Sequence, residues 1–364
     1  MIRFIDLSEQ NRQASQEIFE NLRAVAASSQ FIGGDVVANF ERRFAEYCNS
    51  RHCVALNSGT DALRLGLISL SLPRDAEVIT TPFSFIACVE AVLQAGLKPC
   101  FADIDAESLN LSAQSVNERC GRMTCCVMPV HFGGNPCDMR GLESACGKAV
   151  ILEDCCQAHG SRICGKHVGT FGAVGAFSFY PTKNLGAWGD GGAAITNDDR
   201  LAESIRLLRN HGQSGRYFHE KDGWNSRLDA LQAVILSIKL QYIRGWNRER
   251  VELSSLYDRL LVEVDEVRLI KKYATAEAVP YLYTVRARER EELKRHLEEC
   301  GIETRVIYPF PLHLLPATRG LGYGKGDFPS AEQACAEVIS LPLYPGLNEN
   351  NVYFICEKIR DFYH

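Results

Sequence analysis

From about residue 50 to residue 200 the chain repeats one pattern: a short apolar run, a turn, then a segment with apolar residues at helical spacing. Two neighbouring strands that point the same way cannot be joined by a hairpin and need a crossover such as a helix. The alternation therefore constrains this part of the chain to an α/β fold with a mainly parallel sheet. The strand candidates are His52–Leu56, Val78–Thr81, Pro99–Asp103, Cys126–Val130, Val150–Glu153, Ala176–Tyr180 and Ala193–Thr196. Helices are expected from Asp61 onward, over Ser84–Gln94 and over Met139–Ala145. Another should carry Leu201, Ile205 and Leu208, with Asp198 as N-cap and Gly212 as its stop. Ahead of the first strand, Ile18, Leu22 and Val25 stripe a helix from Ser15 to Ala26, and Phe40, Phe44 and Tyr47 mark a second.

Around residue 245 the texture changes. The apolar stripe Leu228, Leu231, Ile235, Ile238 runs into the basic segment Arg244–Arg250, and a long polar helix is expected to about Val262. A smaller α+β set follows, with strands at Tyr281–Val285 and Thr304–Tyr308 and a helix over Glu291–Cys300 stopped by Gly301. A large domain at 1–245 and a small one at 246–364 result, which suits a chain of 364 residues, too long for one small core.

The net charge of −5 offers no footprint for nucleic acid. No apolar run approaches the roughly 20 residues that cross a bilayer, and the first residues lack the apolar core of a signal peptide. A cytoplasmic protein with neither nucleic-acid nor membrane partners is expected. The fifteen cysteines are an odd number in a long chain, which argues against a disulfide framework. The adjacent pairs Cys125-Cys126 and Cys155-Cys156 point to opposite faces of a strand and chelate poorly, so no metal is expected and the thiols read as small core hydrophobes.

Three segments carry chemistry. Asn57-Ser58-Gly59-Thr60-Asp61 sits between a strand and a helix start, where free N–H groups and the helix dipole suit a phosphate. Taken alone, the segment is better explained by an ordinary capped helix start. Ile151-Leu152-Glu153-Asp154 ends an apolar strand in two carboxylates, at the edge where open α/β sheets meet their ligands. A buried Asp154 needs a cation or hydrogen-bond donors, and a protonated pyridine is one such cation. Gln157 and His159 follow within a turn and are expected to face the same pocket. Ala176–Asn184 runs from an aromatic strand through Pro181 to Lys183, followed by four glycines between Gly186 and Gly192. A lone lysine is usually a solvated surface charge. One held against such a loop can act as an amine nucleophile. A phosphate cradle, an acid for a ring nitrogen and a nucleophilic lysine in one α/β domain are what pyridoxal 5′-phosphate (PLP) requires.

Taken together, these motifs resemble the DegT/DnrJ/EryC1/StrS family of sugar aminotransferases. The resemblance runs nearly end to end. It includes Phe31-Ile32-Gly33-Gly34, Thr81-Pro82-Phe83-Ser84-Phe85, Glu153–Gly160, Ser178–Gly186, Arg209-Asn210-His211-Gly212, Asn225–Asp229, and Tyr308-Pro309 with Pro311-Leu312-His313. It implies an aspartate aminotransferase-like architecture and roles for matching positions. Lys183 would bind the cofactor and shuttle the proton, Asp154 would pair with the pyridinium, and Gln157 would bond the phenolic oxygen. Ser58, Gly59, Thr60 and Ser178 would hold the phosphate, Phe85 would stack on the ring, and Asn225 would reach the phosphate of a neighbouring subunit in a homodimer with shared active sites. His159, Arg227, Tyr308 and His313 would face substrate.

The implied reaction takes an amino group from L-glutamate to a nucleotide-linked keto-sugar. Asn225-Ser226-Arg227-Leu228-Asp229 looks like the subgroup acting on 3-keto sugars, and Tyr283-Thr284-Val285-Arg286 resembles enzymes for UDP-linked 3-keto uronic acids. Amination of a 4-keto sugar, or a PLP-binding sensor or structural member without catalysis, are the alternatives. Two departures stand out: Cys155-Cys156 replaces a pair that is often Ala-Ala, and Ile307 stands where many relatives have His.

Overall fold

The computed structural model describes residues 1–364. Its seven-stranded sheet comprises β1 (His52–Leu56), β2 (Glu77–Thr80), β3 (Lys98–Phe101), β4 (Thr124–Met128), β5 (Val150–Asp154), β6 (Val174–Ser178) and β7 (Gly192–Thr196). The spatial order is β1-β7-β6-β5-β4-β2-β3. β7 alone pairs antiparallel with both neighbours, so the other six strands run the same way. The carboxyl ends of β1, β5 and β6 therefore open on one edge of the sheet. Several observed strands start one or two residues before the apolar runs do. Glu77, Lys98 and Thr124 are polar yet still pair, Glu77 in register with Lys98 and across a register shift with Thr124, so the ladder begins before the hydrophobic pattern.

Side-chain alternation distributes the core over both faces of the sheet. Val54 and Leu56 of β1 and Val174 and Ala176 of β6 face α3 (Gly59–Ser69), α4 (Ala87–Gln94) and α7 (Asp199–Leu208), where Leu63, Leu67, Val92, Ile205 and Leu208 are buried. Cys53 and Ala55, with Phe177 and Phe179, face the other way onto α2 (Gly34–Cys48) and α8 (Ala230–Leu261). There Phe40 and Phe44 meet Phe177 and Phe179 edge to face, at centroid distances of 5.1 to 5.4 Å. α1 (Ser8–Ser28) begins well before Ser15 and packs Ala14 and Ile18 on Ala230, Val234 and Ile238 of α8. As expected, Asp198 caps α7, accepting from the N–H groups of Arg200 and Leu201; the helix stops at Leu208, before Gly212.

α8 is one unbroken helix of 32 residues, and position 245, where the texture changes, lies inside it. Composition changes there because the helix changes partners. Its first half packs Leu236, Leu240 and Ile243 on the large sheet. Its second half puts Leu253, Leu256, Tyr257 and Leu261 into a separate core with α9 (Arg290–Glu299), α11 (Glu349–Tyr363) and a three-stranded sheet. That sheet holds β8 (Val267–Leu269), β9 (Tyr283–Ala287) and β10 (Val338–Leu341) in the order β8-β9-β10. Thr304–Tyr308, expected as a strand, is not one: Arg305 alone bridges to Ser340. Val306, Ile307 and Tyr308 instead pack on the cluster of Phe83, Phe132 and Phe328, and Pro309 and Pro311 supply no N–H to continue a ladder. No helix is long and apolar enough to cross a membrane. All fifteen cysteines are free.

Phe44 is fully buried at the centre of the aromatic cluster. Phe44→Ala should lower the unfolding free energy by about 3–5 kcal/mol, through lost transfer energy and the cavity left behind. Urea denaturation followed by tryptophan fluorescence would measure the shift in midpoint.

Candidate active site

A cavity of about 510 Å³ opens at the carboxyl ends of β1, β5 and β6. β1 delivers its first wall. Ser58 caps α3 by accepting from the Asp61 N–H at 3.1 Å, which aims the first turn of the helix into the cavity. The N–H groups of Gly59 and Thr60 have no carbonyl within the helix to pair with, as at every helix start. Gly59 is there for close approach: a Cβ would lie 2.6 Å from the Ser178 Cβ and 2.8 Å from the Cys156 Sγ. A phosphate held by this turn would meet N–H groups and the Ser178 hydroxyl, with no cation required.

β5 delivers the second wall. Asp154 is 5% exposed and forms no salt bridge. Its Oδ1 accepts from the Cys156 N–H at 3.0 Å and its Oδ2 from the Cys88 thiol at 3.4 Å. Burial, and then the neighbouring Asp154 charge, push both the Cys88 and Cys156 thiols well above their ordinary pKa, so each stays a neutral donor or packing group. The preceding residue, Glu153, points to the opposite face of the strand. Its carboxylate accepts from Gly169, Phe171 and Gly172 N–H groups, each at 2.7 Å, and meets His131 Nε2 at 3.1 Å. His131, Glu153 and Cys155 offer ligand atoms within 4.8 Å of one another. Those of His131 and Glu153 are already engaged, since His131 Nδ1 accepts from the Cys137 N–H at 3.0 Å. The cluster pins the loop beneath β5.

Gln157 lines the cavity with its amide fixed at both ends. Oε1 accepts from the Gly133 N–H at 2.7 Å, and Nε2 donates to the Tyr308 hydroxyl at 3.2 Å. Burial raises the Tyr308 phenol above its ordinary range, so it stays protonated. β6 delivers the third wall. After Ser178 the chain turns at Pro181, and the Lys183 N–H closes on the Tyr180 carbonyl at 2.8 Å. Lys183 Nζ projects into the cavity 4.3 Å from the centroid of the Tyr281 ring and forms no salt bridge. Tyr281 is held in place by the Thr182 hydroxyl at 3.0 Å.

The structure thus brings together Ser58, Gly59, Thr60, Phe85, Asp154, Gln157, Ser178, Lys183 and Tyr308. It places the remaining four elsewhere. His159 is turned into the core against Phe177 and Phe179, at 5.3 and 5.9 Å, and neither ring nitrogen has a partner. His313 is buried beside Phe328 with Nε2 at 3.1 Å from Glu332. Asn225 is exposed on a loop bridged to Asn210, and Arg227 donates to the Asn210 side chain at 2.9 Å. The reading from sequence missed Cys88, Ser84 and Tyr281 as lining residues. Cys88 and Ser84 lie in or just beyond the Thr81–Phe85 motif and were reachable from it. Tyr281, far along the chain, carries no local signal.

Residues 12–360 match the DegT/DnrJ/EryC1/StrS aminotransferase family. The chain belongs to this family. It is 42% identical to the pleiotropic regulatory protein of Geobacillus stearothermophilus, covering 99% of this chain and 98% of that one. It is 35% identical to the UDP-2-acetamido-2-deoxy-3-oxo-D-glucuronate aminotransferase of Pseudomonas aeruginosa, covering 99% of each. Streptomyces venezuelae DesV, solved in complex with a ketimine intermediate, superposes with a TM-score of 0.97 at 37% identity over 99% of this chain and 98% of that one. The chain is a PLP-dependent aminotransferase. Its residues fit that cofactor. Asp154 is a buried carboxylate with no cation beside it, the Gly59 turn is a cradle that any side chain would fill, and an unpaired lysine faces both.

Gly59→Ala should therefore weaken PLP binding by at least about tenfold while leaving the fold intact, because the displaced Ser178 and Cys156 narrow the phosphate turn. Fluorescence titration of the apoprotein with PLP measures it. A second expectation concerns acid. Burial above all lowers His159 to about 3 and His167 to about 4, against 6.5 when unfolded. Both stay neutral in the fold and take up protons on unfolding. Their contribution is complete above about pH 6.5 and is lost as pH falls toward 4, on the order of 1 kcal/mol per pH unit for each. Urea midpoints across this range should fall less steeply for His159→Leu than for the parent.

Proposed function

We propose that this chain transfers an amino group from L-glutamate to C3 of a nucleotide-linked keto-sugar, with a UDP-linked 3-keto uronic acid as the substrate class. The observation that carries the reaction type is the convergence of Lys183, Asp154, Gln157 and the Gly59–Thr60 turn on one cavity. The sugar class is supported by 35% identity to an aminotransferase named for a 3-oxo-glucuronate substrate, together with the Asn225–Asp229 and Tyr283–Arg286 motifs.

Bound PLP supplies an electron sink that stabilises negative charge at the carbon losing or gaining a proton. Asp154, desolvated and without another cation, would pair with the cofactor's ring nitrogen and favour its protonated form. Gln157, clamped by Gly133, presents its Nε2 to an oxygen acceptor on the ring. Gly59, Thr60 and Ser178 would hold the phosphate and so anchor the cofactor. Lys183, free of any carboxylate, carries the proton at Nζ between the two reacting carbons, while the Tyr281 ring limits where that amine can swing. Phe85, at the mouth and 57% exposed, would cover the ring face.

The active unit in this reading is a homodimer. Asn225 is exposed and outside its own chain's cavity, so in this reading it would serve the partner's phosphate rather than its own. The free cysteines suit a reducing cytoplasm.

A half-reaction assay separates the readings. Lys183→Ala should lose transamination entirely and retain cofactor through the phosphate turn alone. The parent enzyme, converted to its pyridoxamine form, should regain its visible absorbance with UDP-linked 3-keto uronic acids. Recovery with 4-keto sugars alone would move the amination to C4. Absence of any spectral response to glutamate would overturn glutamate as the amino donor.

A further inference from the structure

The loop that carries Lys183 is gripped from behind by one face of α8. Gln232, Lys239 and Asn247 lie on that helix roughly two turns apart, so their side chains share a face. Asn184 Nδ2 donates to Asn247 Oδ1 at 3.2 Å. Lys239 Nζ donates to the Gly186 carbonyl at 2.9 Å. The Trp188 N–H donates to Gln232 Oε1 at 2.9 Å, and Gln232 Nε2 returns to the Trp188 carbonyl at 3.4 Å. Alternate loop residues 184, 186 and 188 are thus bound in order, just beyond Lys183. None of the three helix residues lines the cavity.

Lys239 is the least expected of them. It is 4% exposed, no carboxylate pairs with it, and burial draws its pKa down to about 8. Burying an amine that must stay polar is costly, and a methionine of similar length would fill the space without that cost. Packing alone does not call for an ammonium here. The carbonyl it grips belongs to a residue that cannot shift freely: a Cβ on Gly186 would lie 2.1 Å from the Pro181 carbonyl oxygen, so the loop is folded tightly onto the turn before Lys183.

We propose that Gln232, Lys239 and Asn247 form a rail on α8 that positions Lys183, with Lys239 as its principal clamp. The inference rests on the reading of Lys183 as the cofactor-binding amine. The three are positioning residues and touch no reacting atom. The rail also reaches the small lobe. One turn beyond Asn247, the buried Arg250 donates to the Tyr281 carbonyl at 3.3 Å and to the Leu343 carbonyl at 3.0 Å. The same helix therefore sets both the loop behind Lys183 and the Tyr281 ring in front of it.

The test compares holoenzymes of the parent, Lys239→Met, Lys239→Arg and Gln232→Leu. Three quantities are read: amide hydrogen exchange over residues 184–188, the fraction of bound PLP that borohydride fixes to Lys183, and kcat and KM for the glutamate half-reaction. Lys239→Met should show faster exchange in that segment, a several-fold smaller fixed fraction and kcat lower by about tenfold, with KM for glutamate within about twofold. Lys239→Arg should restore most of each. Parent-like exchange and fixed fraction in Lys239→Met overturn the proposal. Should Lys239→Met not fold, Gln232→Leu decides, since it removes the Trp188 contacts from a half-buried position, and parent-like exchange there is equally fatal. A parent protein in which borohydride fixes nothing to Lys183 refutes the cofactor reading instead, and exchange alone then judges the rail.

Discussion

A carboxylate held almost out of water without a cation is the constraint around which the large lobe is arranged. Asp154 ends the strand that links β4 to β6 at the middle of the sheet, and two donors, an amide and a thiol, are all it has within the chain. That is too little to compensate a buried charge. The deficit is what a protonated heterocycle would make good. The period of two along β5 makes the arrangement possible. Glu153 faces away from the cavity and satisfies three loop amides and His131, so the strand end is fixed from one side while Asp154 acts on the other.

The remaining site elements reach Asp154 from β1 and β6 because the sheet's carboxyl ends share an edge. Their meeting depends on missing side chains more than on added ones. Gly59 lets Ser178 and Cys156 come against the first turn of α3, and a Cβ on Gly192 would lie 2.2 Å from the Ser58 carbonyl group. β7 can pass beneath the phosphate turn only as glycine. This is why the glycines after Lys183 matter to a segment more than a hundred residues earlier in the chain.

The sheet and the reactive centre were legible in the sequence because both rest on local signals. Period-two apolar runs between helical stripes define the strands, and His52–Leu56 is observed where it was read. The lysine, the strand-end acid and the glycine turn each carry a motif. What was not legible depends on long-range packing. Thr304–Tyr308 has the composition of a strand, yet its apolar side chains are recruited by Phe83, Phe132 and Phe328, and a ladder never forms. His159 and His313 sit in motifs that imply contact with substrate. Their rings turn inward because aromatic neighbours on β6 and on Phe328 offer them a dry surface. Position 245 changes composition, and a helix crosses it intact, since polarity there reports a change of packing partner.

The cavity is least enclosed at its mouth. Phe85 and Tyr180 line it and are 57% and 53% exposed, although large aromatic side chains at a ligand site are normally covered. The inner walls, by contrast, are closed by fully formed hydrogen bonds at Gln157, Asp154 and Ser58. The cavity is thus closed at its inner end by this chain's own side chains and open at its mouth. In the proposed dimer, recognition of the sugar would fall to surfaces that meet Phe85 and Tyr180 from outside, and the exposed Asn225 loop, bridged to Asn210 and carrying Arg227 beside it, is a polar element that a second copy would bring there.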